Sequence, residues 1–570
     1  MRDTIAKTGI LPVRLLSEAL DMIVLTASLF GRSPRTIAAF RILSCFAALH
    51  FLIGQGLAQG VSCLVPTSNG EVQGVDGGAS CAFLGIPYAA SPTGNNRWKP
   101  PKPKASWAPL IFSATMPPPS CSANEDCLKL NIWTPDPAPG GQAPVIVWLH
   151  TGGFTAASAN FASHNGQRLA EETGVIIVAP NYRLGPFGFL AHSALAAEDP
   201  AYPSSGNYGL LDQRAALAWV RDNISQFGGD PNNVTLAGTS AGGDSVGLHL
   251  VSPGSGGLFH RSIVQSGAPT LRWPTIAEAS EEGAAFAAAL GCSNPTVVEC
   301  LRSKSTSQVI LALPQATHQV LETPGSAYWT PIVDGFQIPA QPRTLFEAGA
   351  FLHVPTIIGT TRDEGWGNFI NRSFPTGVTL AQYEAWVTNE FGPYASDVLA
   401  TYPSVNFPSG TDAMARLLGD GQFVSEARRL ARLIERTGTP AFLYSYEYEI
   451  DDLSLDRVIH GVESNIIFGN NYVPSNFPNH ALSAADLTLH ASMAGYWTRF
   501  AATGNPNSDD DTIVHWPAFK HPTGQGRGSD KYIVFDSAIR EGQRLREQQC
   551  DLWEPFFLRS LLGGLPAAAP

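Results

Sequence analysis

Beyond residue 60 the chain alternates short, almost continuous apolar runs with longer stretches of helical period. The runs are "PVIVWLH" at 144–150, "VIIVAPNY" at 175–182, "VTLAG" at 234–238, "SIVQSG" at 262–267, "VPTIIGT" at 354–360 and "AFLYSYEY" at 441–448. A strand with one wet face alternates apolar and polar residues. These runs do not, which predicts strands covered on both faces. Between them "LLDQRAALAWVRDNISQF" at 210–227 has helical period, with Leu211, Ala215, Leu217, Ala218 and Ile224 on an apolar face. Strands separated by helices predict an α/β fold with a large, mostly parallel central sheet flanked by helices. The stretches near 270–350 and 370–440 read as helical, loop-rich insertions. With no repeat, low-complexity tract or linker in between, 59–570 reads as one elaborated domain.

Composition supports a large core: of 570 residues, 44% are hydrophobic and 15% charged, which excludes a disordered chain. The formal charge of -12 is spread over scattered acids, and its longest acidic run is only Asp509 to Asp511. Nucleic acid and anionic membrane surfaces are excluded as expected partners. Residues 1–58 differ from the rest. Arg35 and Arg41 precede the apolar run "ILSCFAALHFLI" at 42–53, followed by the small residues Gly56 and Ala58, the layout of a secretory signal. The run is broken by Ser44, Cys45 and His50 and is shorter than the roughly 20 residues of a membrane span, so no stable span is expected after its removal. A type II anchor is the alternative. Residues 1–34 form an atypical extension ahead of it, with Met22 as an alternative start.

An exported chain favours disulfides. Loss of Cys45 with the leader leaves seven of eight cysteines, and local spacing favours Cys121 with Cys127, Cys292 with Cys300, and Cys63 with Cys81 across a hairpin. Cys550 is left over; buried thiols are the alternative. Three sequons, at Asn223, Asn233 and Asn371, are candidate glycosylation sites.

The chemistry starts at "AGTSAGGDSVG", residues 237–247, where G-x-S-x-G occurs around both Ser240 and Ser245. Around Ser240 a strand-like run passes directly into Gly238, Thr239, Ser240, Ala241 and Gly242. A nucleophile at a strand-to-helix elbow needs that layout, because flanking glycines let strand and helix pass closely. Ser245 falls five residues on, inside the helix, and at about 100° per residue it points away from Ser240. It is expected to pack.

A nucleophilic serine needs a base, an acid that orients the base, and N–H donors for an oxyanion. "WLHTGGF" at 148–154 follows a predicted strand, so Gly152 and Gly153 can turn N–H groups toward one site, joined by that of Ala241. An ordinary glycine turn is the alternative. "TTRDEGWGNF" follows another strand and offers Asp363 and Glu364, which pattern alone does not separate. Of thirteen histidines, His460 in "RVIHGVE" follows the last long strand and comes after the acid, the order this fold uses. His490 sits in a helical stretch and is expected to pack or face solvent; His150 belongs to the glycine turn.

Taken together, these stretches resemble the type B carboxylesterase family, the cholinesterase-like group of α/β hydrolases. The similarity runs through "FLGIPYA" (83–89), "NEDCLKLNIWTP" (124–135), "WLHTGGF", "NYRLGPFGFL" (181–190), the block 206–243, "LFHRSIVQSG" (258–267), "TRDEG" (361–365), "HGVE" and "WTRFAATGNPN" (497–507). It is closest to the fungal members. The resemblance implies Ser240 as nucleophile, Glu364 rather than Asp363 as acid, His460 as base and Gly152, Gly153 and Ala241 as oxyanion donors. It supports the pairs Cys121 with Cys127 and Cys292 with Cys300. The implied activity is ester hydrolysis through an acyl-enzyme, with a small-molecule ester as partner and no metal or cofactor.

Three departures narrow the expected substrate. Only Ser122 to Asp126 lie between Cys121 and Cys127, too few for a lipase lid or a choline-stacking tryptophan. Thr239 replaces the usual glutamate before the nucleophile, which removes a buried charge expected to attract cations. Thr151 stands where a third glycine is common, and Trp366 follows the acid, either narrowing the site or packing. Small or medium neutral esters are the expectation, in a pathway-specific fungal-type hydrolase. A lipase or sterol esterase is the enzymatic alternative. A non-catalytic adhesion protein of the same fold is the other, disfavoured because all three reacting residues are kept.

Overall fold

A computed structural model of the chain describes residues 63–561 except 136, 294, 313–328, 367–376, 451–456, 472–480, 511–512 and 522–529, with side chains as far as residue 555. The leader and the sequon at Asn371 lie outside the described residues.

Fourteen strands are described: β1 (Leu64–Thr67), β2 (Gly70–Gln73), β3 (Val75–Asp76), β4 (Cys81–Pro87), β5 (Phe112–Ser113), β6 (Lys129–Thr134), β7 (Ala143–Leu149), β8 (Ile176–Pro180), β9 (Gly229–Thr239), β10 (Arg261–Gln265), β11 (Thr356–Thr361), β12 (Ala441–Tyr446), β13 (Lys531–Phe535) and β14 (Arg540–Gln543). Eleven make one sheet in the order β14-β13-β12-β11-β10-β9-β7-β8-β6-β4-β3, and β1, β2 and β5 make a small second one. From β8 across to β13 every pairing is parallel, and the antiparallel pairings are confined to the two edges. This is the α/β-hydrolase architecture.

The continuous apolar runs are explained by two cores, one on each face. Val145, Val147 and Leu149 of β7 enter one cluster with Val264, Ile358 and Leu443, while Ile146 and Trp148 enter another with Ile263, Ile357 and Phe442. Both parities of each strand are therefore buried, so apolar residues are favoured at every position. The stretch expected as an insertion carries the helices Leu380–Phe391 and Gly410–Gly419, which have a third core of their own around Tyr383, Met414, Leu417 and Trp553.

Helix Tyr208–Asn223 departs from its sequence pattern: Leu211 and Leu217 are buried, but Ala215 and Ala218 are only half-buried. Two polar residues take the inner face instead. Asp212 holds Arg183 (2.7 Å), and Gln213 bonds His249 (2.9 Å). A buried ion pair and an amide bonded at both its oxygen and its nitrogen can face inward, which periodicity of apolar residues cannot reveal.

Three disulfides join Cys63 to Cys81, Cys121 to Cys127 and Cys292 to Cys300, and Cys550 is buried outside any disulfide. Asn223 is 1% exposed, accepts from the Ser68 N–H and donates to the Trp219 carbonyl. That burial argues against a glycan there. Asn233 is half-buried and donates to the Ala502 carbonyl. Among the described residues no helix is long and apolar enough to cross a membrane.

The strand order reverses around β7. The chain lays β8 on one side of β7 and then β9 on the other, so the carboxyl ends of β7 and β9 stand side by side. Open α/β sheets hold their ligands at such a point.

Candidate active site

Strand β9 ends at Thr239, and helix Ala241–Leu250 starts two residues later. Ser240, between them, has φ 57° and ψ -124°. A side-chain-bearing residue there stores strain of order 1–3 kcal/mol. Two backbone bonds hold it: Ser240 N–H to Gln265 O (2.9 Å), and Asp244 N–H to Ser240 O (2.8 Å). The glycines are needed for clearance. A Cβ on Gly238 would sit 2.6 Å from the Gly242 backbone, and one on Gly242 would sit 2.0 Å from the Leu149 carbonyl oxygen. The helix is thus pressed onto the ends of β7 and β9. Ser245 is buried one turn along, donating to the Ala241 carbonyl (2.8 Å) and accepting from Gln213.

The glycine turn follows β7. Gly152 and Gly153 have φ of 114° and 57°, and the Gly152 carbonyl accepts from Thr155 and Ala156. His150 anchors the turn from inside: its Nδ1–H meets the Thr151 carbonyl (2.8 Å), its ring stacks on Tyr182 (4.3 Å), and the Tyr182 hydroxyl donates to its carbonyl (2.8 Å). Burial holds the His150 imidazole down at about 4, so it is neutral. Among the described residues no hydrogen bond engages the N–H groups of Gly152, Gly153 or Ala241.

Glu364 follows β11 and is almost fully buried. Its Oε1 accepts from Ser266 Oγ (2.6 Å) and the Thr361 N–H (2.7 Å), while Oε2 hydrogen-bonds His460 Nδ1. Ser266 adjoins Gln265, the residue whose carbonyl holds Ser240. On the other side, the histidine segment touches the elbow: Ser464 Oγ lies 3.5 Å from Thr239 Oγ1. Phe423, on a π-helical turn Asp420–Val424, covers the His460 ring at 4.8 Å. Such turns often mark functional sites because they re-aim a side chain.

Burial lowers the His460 pKa, but the carboxylates of Glu364, Glu463 and Asp244 outweigh it, and the imidazole ends above its ordinary 6.5. Asp244 and Glu463 are themselves pushed up by burial to about 7 each. Asp244 accepts the Ala268 N–H (2.6 Å), and Glu463 accepts from Gln265 Nε2 (3.2 Å) and the Tyr444 hydroxyl (3.3 Å). Sequence reasoning missed both. Their spacing was the available signal, since Asp244 is four residues after Ser240 and Glu463 three after His460. Both carboxyl groups lie near the histidine, on positions other than 239.

Asp363, the other acid, turns away from His460 and pairs with Arg362 and Arg416. Trp366 is half-buried against the third core and carries Arg457 over its ring at 5.0 Å, so it packs. His490 is buried between Glu172 (2.8 Å) and the Ile466 carbonyl (2.7 Å). No group of three or more metal-ligating side chains is found among the described residues.

A strained serine beside a glycine turn, at the switch point of a parallel sheet, is the layout of an esterase of the α/β-hydrolase kind. The Carboxylesterase family matches residues 62–553, and the chain belongs to that family as a carboxylic ester hydrolase. It is similar to the fumonisin B1 esterase of Sphingopyxis macrogoltabida, with 34% identity over 502 residues, covering 84% of this chain and 87% of that protein.

Proposed function

We propose that Ser240 is the nucleophile, His460 its general base and Glu364 the acid that orients the base. In this reading His460 takes the hydroxyl proton as Ser240 attacks an ester carbonyl, and the N–H groups of Gly152, Gly153 and Ala241 hold the oxyanion. Protonated His460 then gives its proton to the departing alcohol. Water, activated by the same histidine, releases the acid from the acyl-enzyme. Glu364 keeps a proton on Nδ1, leaving Nε2 as the basic atom, and stabilises the imidazolium.

The observation that carries the reading is the hydrogen-bonded line from Ser240 through the Gln265–Ser266 corner to Glu364 and on to His460. The proposed substrates are small or medium neutral esters, consistent with the five-residue loop between Cys121 and Cys127. The proposed form is secreted, a single domain from residue 59 after loss of the leader; three disulfides suit an oxidising compartment.

The test is hydrolysis of p-nitrophenyl esters from acetate to palmitate, and of fumonisin B1 because of the relative's name, by the purified protein beside Ser240→Ala. Short-chain activity abolished by the substitution is the expected result. Preference for palmitate would instead favour a lipase, and activity that survives the substitution would reject Ser240 as nucleophile.

A further inference from the structure

Two adjacent acids follow β11, and one of them reaches His460. Asp363 forms an isolated parallel bridge with Ile459 beyond the strand end, where its N–H donates to the Val458 carbonyl at 3.0 Å. Matched residues of a parallel pair share a face, and the face alternates with each step along the strand. One residue beyond the bridge in each segment stand Glu364 and His460, both in turns. From that bridge the Glu364 and His460 side chains meet each other, while Asp363 meets Arg362, Arg416 and the Val458 N–H. A slip of one residue would turn His460 away from Glu364.

The regular pairing of β11 is with β12 and ends at Thr361 opposite Tyr446, so the histidine segment is not part of a neighbouring strand. The Asp363 side chain supplies the missing bond: its Oδ2 accepts the Val458 N–H at 3.0 Å. Its two oxygens are in turn fixed by Arg362 Nε and Arg416 Nη2, each at 2.9 Å. Arg416 also donates from Nη1 to the Arg362 carbonyl at 2.8 Å, which ties the acid loop to helix Gly410–Gly419.

We propose that Asp363, clamped by Arg416, is a positioning residue that sets the register in which His460 meets Glu364. The proposal rests on the reading of Ser240, Glu364 and His460 as the reacting set. Asp363 touches no substrate and acts only through the histidine.

The experiment compares Asp363→Ala, Asp363→Asn, Arg416→Met and Arg416→Lys with the unaltered enzyme, with Ser240→Ala and Glu364→Gln run beside them. Rates are normalised to sites titrated by an organophosphate ester. For Asp363→Ala and Arg416→Met, kcat per titrated site is expected to fall about 100-fold, the cost of a misplaced catalytic group. KM is expected to stay within about twofold, since ground-state binding is not touched. The acidic limb of the pH profile should move down as the imidazole loses its carboxylate, and Arg416→Lys should recover most of the rate. Asp363→Asn should lie between, because its amide oxygen can still accept the Val458 N–H. Normal kcat per site and an unmoved limb, whatever happens to yield or melting temperature, would overturn the proposal. If Asp363→Ala does not fold, the same two readouts on Arg416→Met and Asp363→Asn decide. A fully active Ser240→Ala or Glu364→Gln would strike the underlying reading instead.

Discussion

The two halves of the site are built in opposite ways. Ser240 and the glycine turn are made locally: each lies where one strand ends, and each needs a backbone shape that a few glycines permit. Glu364 and His460 are 96 residues apart and meet across two loops joined at the Asp363–Ile459 bridge. The first half stores its geometry in backbone strain, the second in long-range hydrogen bonds. Damage to the first should therefore be steric and local, whereas damage to the second should leave the backbone intact and spoil the placement or charge of one imidazole.

The largest effect tests the local half: Ser240→Ala should cut turnover by about 10⁴-fold or more, read as steady-state kcat. On the assembled half, Glu364→Gln should cost about 10³-fold to 10⁴-fold in kcat by favouring the wrong imidazole tautomer, with the melting temperature nearly unchanged. The next pair sharpens the local argument. A Cβ on Gly152 would lie 2.2 Å from the Ala156 carbonyl oxygen at φ 114°, whereas nothing lies within 4 Å of one on Gly153. Gly152→Ala should lose about 10²-fold to 10³-fold in kcat, the value of an oxyanion donor. Gly153→Ala, at φ 57°, should lose only about tenfold. Equal losses would mean that steric closure is not what sets the turn.

The smallest effect concerns charge. In the proposed mechanism His460 must be neutral to accept the serine proton, and its pKa is raised, so kcat/KM should climb with pH along a limb centred above 6.5. Asp244→Asn removes a carboxyl group whose ionised form favours the imidazolium, which should move that limb slightly to lower pH with little change in the plateau. An unmoved limb would show that the charge of Asp244 does not reach the histidine.

The sheet and the elbow could be read from the chain because each depends on neighbours in sequence. Continuous apolar runs reported strands buried on both faces, and the Gly238, Ser240 and Gly242 spacing reported a tight crossing. The helix from Tyr208 was harder, since Asp212 and Gln213 turn inward once their partners are found. Asp363 and Glu364 could not be told apart from the residues alone, both being acids at one strand end; similarity to other sequences favoured Glu364.

By itself, then, the sequence determined the fold class, the family and the strained serine, because apolar period and glycine spacing act over a few residues. Only the tertiary structure decided that Asp363 turns to Arg362 and Arg416, that Asp244 and Glu463 lie close enough to raise the pKa of His460, and that Asn223 is buried. Those outcomes depend on strand register and on the loss of water around groups distant in the chain, and neither quantity is carried by any local pattern.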